Sequence, residues 1–285
     1  MNVDSINKFV FGVKGLELWD NMACWVLSAG QNKGTGVTVY ALGGLSATNM
    51  PHATLNTLGT PPGLPIRTTN GIQFSGIKIN NNNWPQNYIT TQPFAFKTSS
   101  TFFCVINYDF AGLSTDVSSV YPVILSVLPT GGGAPNDSEY QFSRRIALVR
   151  TSHTPGNTPI TARYGIGTSL YYAPGGRGQI LTFTGPEANS DNNNWAVVGM
   201  SYLSGNQLFS RNGSNFVTTN HSPEPVYPII NENYRMIMSS ILRPIEGFKG
   251  IGAAYFYFNK FLSQQEHTKL YTLYKETLGA GLGLP

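Results

Sequence analysis

The strongest constraint on this chain is a rhythm of short β-branched and aromatic runs cut apart by Gly, Pro, Asn and Asp. Thr101-Phe102-Phe103-Cys104-Val105-Ile106-Asn107-Tyr108 is one such run, and residues 121–128, 145–150, 179–183, 195–202, 207–211, 234–240 and 250–258 follow. Side chains that are branched at Cβ or carry rings suit a pleated, half-buried surface. The punctuating residues supply positive φ or remove a backbone donor. Short strands at regular spacing, with no helical periodicity between them, predict an all-β sandwich or barrel. Residues 195–202 are apolar at nearly every position, which predicts a central strand covered on both faces. Gly71-Ile72-Gln73-Phe74-Ser75-Gly76 alternates more sharply, so Ile72 and Phe74 should face the same way.

One helix is specified. Ser263-Gln264-Gln265-Glu266 is a capping box, in which the Ser hydroxyl accepts from the backbone N–H three residues on and the Glu carboxylate reaches back. Leu270, Leu273, Tyr274 and Leu278 then recur at helical spacing. The helix is expected over 263–278, with Gly279 ending it in a left-handed turn. It should pack on the sandwich edge or in the crevice between sheets. At 285 residues the chain suits one large sandwich. Residues 16–285 are read as that domain, and residues 1–15 as an N-terminal extension or arm.

Charge narrows the function classes. Only 11% of residues are charged, against about 25% in an average domain. The net charge of +4 is spread thinly, with no Lys/Arg run that could track phosphates, so no nucleic-acid partner is expected. No stretch approaches the ~20 apolar residues of a membrane span. Met1-Asn2-Val3-Asp4-Ser5 lacks the basic and apolar regions of a signal peptide, so synthesis in a cytoplasm is expected. Cys24 and Cys104 sit in apolar surroundings and read as small buried hydrophobes, although spacing alone leaves a disulfide open.

The pieces, taken in order, resemble the concanavalin-A-like, laminin-G-like β-sandwich superfamily. Leu16-Glu17-Leu18-Trp19-Asp20 resembles the opening strand, and residues 71–76 the strand after it. Residues 194–199 followed by 207–213 resemble the "W-x-h-V … L-Y-x-N-G" hairpin, where h is any hydrophobic residue. The most specific likeness runs from Phe248 to Glu266, similar to "F-x-G-x-I-x-x-h-x-I-Y-N-R-x-L-S-x-x-E", with Lys260 for the usual Arg and Phe258 for the usual Tyr. The resemblance implies an antiparallel jelly-roll sandwich with one C-terminal helix, and it carries no catalytic group. Low charge, abundant Asn, Thr, Gly and Ser, and the glycine-rich ending also resemble virion proteins of tailed bacteriophages. That implies a structural or adhesive virion protein, such as a capsid decoration or a tail fibre or spike component. Its partners would be other virion proteins, further copies of itself and a host-surface glycan.

Searching for chemistry leaves few candidates. Glycoside hydrolases need two carboxyls flanking the scissile bond. Glu17 and Asp20 are the nearest acidic pair and straddle an expected strand end, while Asp109, Asp116, Asp137, Glu139, Glu187 and Asp191 fall in expected loops, and no strand carries the pair. No enzyme is therefore expected, and a lectin-like carbohydrate-binding protein is the alternative reading, with a divergent glycan hydrolase behind it. His52, His153, His221 and His267 are scattered, and His267 is read as a surface residue. Gly175-Gly176-Arg177-Gly178 lacks the Lys-Ser/Thr of a phosphate loop and reads as a hairpin tip. No cofactor is expected. Asp191, within Asn189-Ser190-Asp191-Asn192, could offer oxygen to calcium, though a solvated turn is the simpler account. Trp84, Tyr88, Tyr171 and Tyr172 lie near polar stretches and are the candidate sugar-binding aromatics, with core or subunit-contact roles as the plainer reading.

Overall fold

The computed structural model describes residues 3–29, 32, 36–45, 51–58, 63–75, 86–95, 97, 99–109, 123–129, 144–150, 162–172, 176–182, 191, 193–203, 206–220, 233–239 and 249–285. The chain opens with helix α1 (Val3–Gly15) and a 3-10 turn (Trp19–Asn21). Strands β1 (Met22–Val26), β2 (Thr38–Val39), β3 (Leu42–Gly43), β4 (Ala53–Leu58), β5 (Ile66–Thr68) and β6 (Gly71–Phe74) follow. Next come β7 (Gln86–Thr91), β8 (Phe94–Ala95), β9 (Ser100–Tyr108), β10 (Val123–Pro129), β11 (Arg144–Arg150), β12 (Ala162–Tyr172) and β13 (Gly176–Thr182). The last strands are β14 (Trp195–Leu203), β15 (Asn206–Arg211), β16 (Ser214–Asn220), β17 (Asn233–Met238) and β18 (Gly250–Phe258), before helix α2 (Gln264–Glu276).

The strands form two antiparallel sheets. The first runs β16-β15-β14-β9-β18-β1-β3, with β6 also on β18 and β5 on β6. The second runs β13-β12-β11-β10-β17-β7-β4-β2, with β8 on β17. The expected antiparallel β-sandwich with a C-terminal helix is therefore what the chain forms.

Alternation along the strands sorts residues into two cores. Ala23 and Trp25 of β1, Phe102 and Cys104 of β9, and Tyr255 and Tyr257 of β18 point between the sheets. They meet Ile89, Leu125, Val127, Met236 and Met238 of the second sheet. Their strand neighbours Cys24, Val26, Phe103, Val105, Phe256 and Phe258 point the opposite way, toward the helices. The first sheet is thus buried on both faces, which is why its central strands are apolar at both parities. Ile72 and Phe74 share the inter-sheet core, as their alternation predicts. Cys24 and Cys104 are free and buried, and they lie in different cores on opposite faces of one sheet, which rules out their pairing.

The N-terminal segment departs from the reading of residues 1–15 as an extension or arm. It is α1, and Phe9 and Val13, one helical turn apart, are fully buried on the first sheet's outer face. Phe9 meets the Tyr274 ring of α2 edge-on at 6.4 Å, and Phe256 of β18 meets the same ring at 5.8 Å, so three rings tie the helices to the sheet. Helix α2 accordingly lies on the face of the first sheet, not on the sandwich edge or between sheets.

Residues 16–20 also differ from the expected opening strand. Leu18 N–H donates to Val13 C=O at 3.1 Å and Glu17 N–H to Lys14 C=O at 3.0 Å, with Glu17 at φ 58°. This is a Schellman helix end with Glu in the left-handed position that Gly usually fills. The accompanying apolar contact is made by Val13 and Leu18, both buried in the helix-side core. The capping box of α2 forms as the sequence predicts: Glu266 N–H donates to Ser263 Oγ, and Ser263 N–H to Glu266 Oε2 at 2.7 Å. Gly279 does not take the left-handed turn expected of it. The helix ends instead at Glu276 with Thr277 as its cap, positive φ appears only further on at Gly281 and Gly283, and a Cβ at Gly279 would strike the Tyr274 ring and Leu284.

Candidate functional site

Helices cover the first sheet, so the sheet face free of described helices is the outer face of the second. Inward residues identify it: Ala53 and Leu55 on β4, Ile89 on β7, and Met236 and Met238 on β17 belong to the inter-sheet core. Thr54, Asn56, Tyr88, Thr90, Arg235 and Ile237 therefore point outward. The ladder places Asn56 opposite Tyr88, Thr54 opposite Thr90, and Thr90 opposite Ile237. Thr54 is exposed; Asn56, Tyr88, Thr90 and Arg235 are half-buried; and Ile237 and its neighbour Ser126 on β10 are buried.

Tyr88 and Arg235 share this outer face on neighbouring strands, with the Thr90–Ile237 pair between them. Burial pushes the Tyr88 phenol up from its ordinary value, and the Arg235 guanidinium offsets part of that rise. Arg235 Nε is buried and has no hydrogen-bond partner among the described residues. The face thus offers a half-buried ring, a guanidinium with an unused donor, an amide and two threonine hydroxyls. An aromatic body with polar atoms around it can stack on a sugar ring and bond its hydroxyls, and the guanidinium fork matches a carboxylate.

The four candidate aromatics do not form one cluster. Tyr88 lies on β7, while Tyr171 and Tyr172 lie on β12 of the same sheet. Four inter-strand steps separate β7 from β12, roughly 19 Å at the usual strand spacing. Trp84 lies outside the described residues. Gly176, Arg177 and Gly178, expected as part of a hairpin tip, instead open β13, paired with Tyr172, Tyr171 and Leu170, while Gly175 lies outside the described residues. Arg235, which sequence reasoning missed, sits outside any motif, and only strand pairing puts it on the same face as Tyr88.

Asp191 is not placed to serve calcium. It is buried, and both carboxylate oxygens accept from the Arg211 guanidinium, with Nε at 3.0 Å from Oδ1 and 2.8 Å from Oδ2 and Nη2 also on Oδ1. A cation would have to displace that guanidinium. Among the described residues no cluster of three or more His, Cys, Asp or Glu could hold a metal.

His267 is likewise not a surface residue. It is fully buried where α2 meets the first sheet. Nε2 bonds Ser201 Oγ at 2.8 Å and Nδ1 bonds Ser210 Oγ at 2.7 Å, and Ser201 Oγ also meets Thr101 Oγ1 at 2.7 Å. A serine beside a histidine suggests a nucleophile and its base, but burial lowers the His267 pKa to about 3 and leaves the pair without an approach for substrate. The network pins α2 to β14 and β15. Gly199 makes room for it, since a Cβ there would lie 2.8 Å from His267 Nδ1.

Comparison with known proteins shows fold and little more. No family model matches the chain, and no curated protein matches it. Among solved structures it is similar to domain 4 of AbnA, an extracellular arabinanase from Geobacillus stearothermophilus, solved with arabinotriose. That likeness has 13% identity and TM-score 0.43, and covers 87% of this chain and 97% of the other. The CBM40 domain of the Ruminococcus gnavus IT-sialidase, bound to α2,3 sialyllactose, matches at 12% identity and TM-score 0.40, over 62% of this chain and 84% of the other. A botulinum neurotoxin type C structure, concerned with cell entry through two ganglioside molecules, matches at 11% identity and TM-score 0.50. It covers 90% of this chain, which spans 52% of the toxin chain. The neurotoxin likeness accords with the two-sheet β-sandwich described above.

Proposed function

We propose that the chain is a non-catalytic glycan-binding module that takes saccharide on the outer face of the second sheet. The observation behind this is that the half-buried Tyr88 ring and the Arg235 guanidinium share one sheet face with Asn56, Thr54 and Thr90. A sugar bearing a carboxylate suits it best, because the guanidinium can donate to both carboxylate oxygens while the ring stacks. The likeness to the neurotoxin, whose cell entry depends on two ganglioside molecules, accords with that reading. Catalysis is left out because the described carboxylates offer no pair facing each other across this face.

Titration calorimetry with 3′-sialyllactose tests it. Binding should weaken about tenfold in Tyr88→Ala and in Arg235→Gln, the size expected for an anchoring contact. Binding that both variants leave unchanged, or no binding at all, refutes the assignment. Release of free sugar from the same substrate refutes the non-catalytic half. Placement in a bacteriophage particle rests on composition alone and is a separate proposal: mass spectrometry of the purified virion should detect the chain, and its absence refutes the placement.

A further inference from the structure

On the opposite side of the sandwich, the end of α1 leaves a cleft of about 460 Å³ lined by Lys14, Glu17, Trp19 and Asp20. The Schellman turn builds it. By reversing the chain at Glu17, the turn brings Lys14 of the last helical turn over the Trp19 ring, its Nζ 5.3 Å from the ring centroid. The indole is held from behind: Trp19 C=O accepts from Gly44 N–H at 3.0 Å, and a Cβ on Gly44 would lie 2.8 Å from the ring's Cδ1 and 2.9 Å from Nε1. Trp19 is half-buried, while Lys14, Glu17 and Asp20 are exposed. Neither Glu17 nor Asp20 has an ion-pair partner among the described residues.

We propose that this cleft is a second saccharide site, separate from the Tyr88–Arg235 face and selective for neutral sugars. A tryptophan held in one orientation gives a pyranose or furanose ring a stacking platform at little ordering cost. Two carboxylates beside it accept hydrogen bonds from vicinal hydroxyls, and the Lys14 ammonium donates to a ring or hydroxyl oxygen. The charge balance sets the class. Two carboxylates against one ammonium repel an anionic sugar, the reverse of the Arg235 face. A bare cation is disfavoured because only one ring is present, where quaternary ammonium sites use several.

Calorimetry on the full chain with lactose, arabinotriose, 3′-sialyllactose and tetramethylammonium chloride separates these ligand classes. Lactose or arabinotriose should bind, with affinity lowered about tenfold in Trp19→Ala and about threefold in Asp20→Asn. Trp19→Phe should retain part of the affinity, because a smaller ring still stacks. Thermal melting checks that Trp19→Ala folds; if it does not, Trp19→Phe and Asp20→Asn carry the test. The proposal is overturned if neither neutral sugar binds at about 10 mM. It is also overturned if binding is indifferent to Trp19 and Asp20, or if the Trp19-dependent ligand is sialyllactose or tetramethylammonium. Failure of the Tyr88 face alone leaves the Trp19 result standing, since the two sites share no residue.

Discussion

His267 makes the stability of this protein depend on pH in a defined window. Its ring is fully buried between the Phe103 ring, 4.6 Å away, and the hydroxyls of Ser201 and Ser210. Burial holds its pKa down to about 3, with only the Glu266 charge pulling it up, whereas an unfolded chain presents a histidine near 6.5. The fold therefore keeps His267 neutral while the unfolded chain takes a proton as pH falls below 6.5. The stabilisation is complete above that value, is lost progressively as pH drops from 6.5 toward 3, and changes no further below 3. Linkage across that interval puts the loss between pH 7 and pH 5 at about 2 kcal/mol, roughly 4–8 °C in melting temperature. Glu266 adds little there. Burial works against its charge, but bonds from Lys260 and Ser263 outweigh it and hold the carboxyl below its ordinary value. The assay is urea unfolding at pH 5, 6 and 7 of the native chain and of His267→Gln. The difference between their pH slopes should amount to one proton's worth of stability. Proton NMR of the native chain gives an independent reading, in which the His267 ring should not titrate above pH 4. A ring that titrates near 6.5, or equal slopes in the two proteins, refutes the argument.

Three further outcomes follow from particular contacts. Glu17→Gly should raise stability by about 1 kcal/mol, because φ 58° strains any residue with a Cβ; a lower melting temperature would contradict this. Gly199→Ala should cost about 2–3 kcal/mol in urea unfolding, since the new Cβ would lie 2.5 Å from Phe103 Cε1 and 2.7 Å from Ser210 Oγ; a neutral effect would show that the His267 network has slack. Asp191→Asn should cost about 2–3 kcal/mol by leaving the Arg211 guanidinium without its counter-charge, and calcium should leave the native melting temperature unchanged; a calcium-dependent rise would restore the metal reading.

Much of the frame was legible because it is local. The capping box at Ser263 and Glu266 needs only four consecutive residues, and β9, β14 and β18 announce themselves as continuous apolar runs. The helix over 3–15 carried a signal too, since Ile6, Phe9 and Val13 recur at helical spacing. It was obscured at its end, where Glu17 stands in the place of the usual Gly and Leu16-Glu17-Leu18-Trp19 alternates like a strand. His267 falls on the same stripe as Leu270, Tyr271 and Tyr274, so its burial could have been read from spacing. Its polarity argued for the surface, and the hydroxyls that satisfy it come from β14 and β15, far away in sequence. Arg235 had no local signal at all.

The order of apolar and punctuating residues, by itself, determined that this chain forms antiparallel strands, buries them in a sandwich and ends in a capped helix. Those outcomes follow from side-chain shape, backbone dihedral preference and hydrogen bonding within a few residues. Tertiary structure alone decided which sheet the helices cover. It also decided that Asp191 pairs with Arg211, and that Tyr88 and Arg235 share a face while Trp19 is set against Gly44. Each of these depends on strand order and register, which are set by how two cores are filled at once and cannot be summed from local preferences.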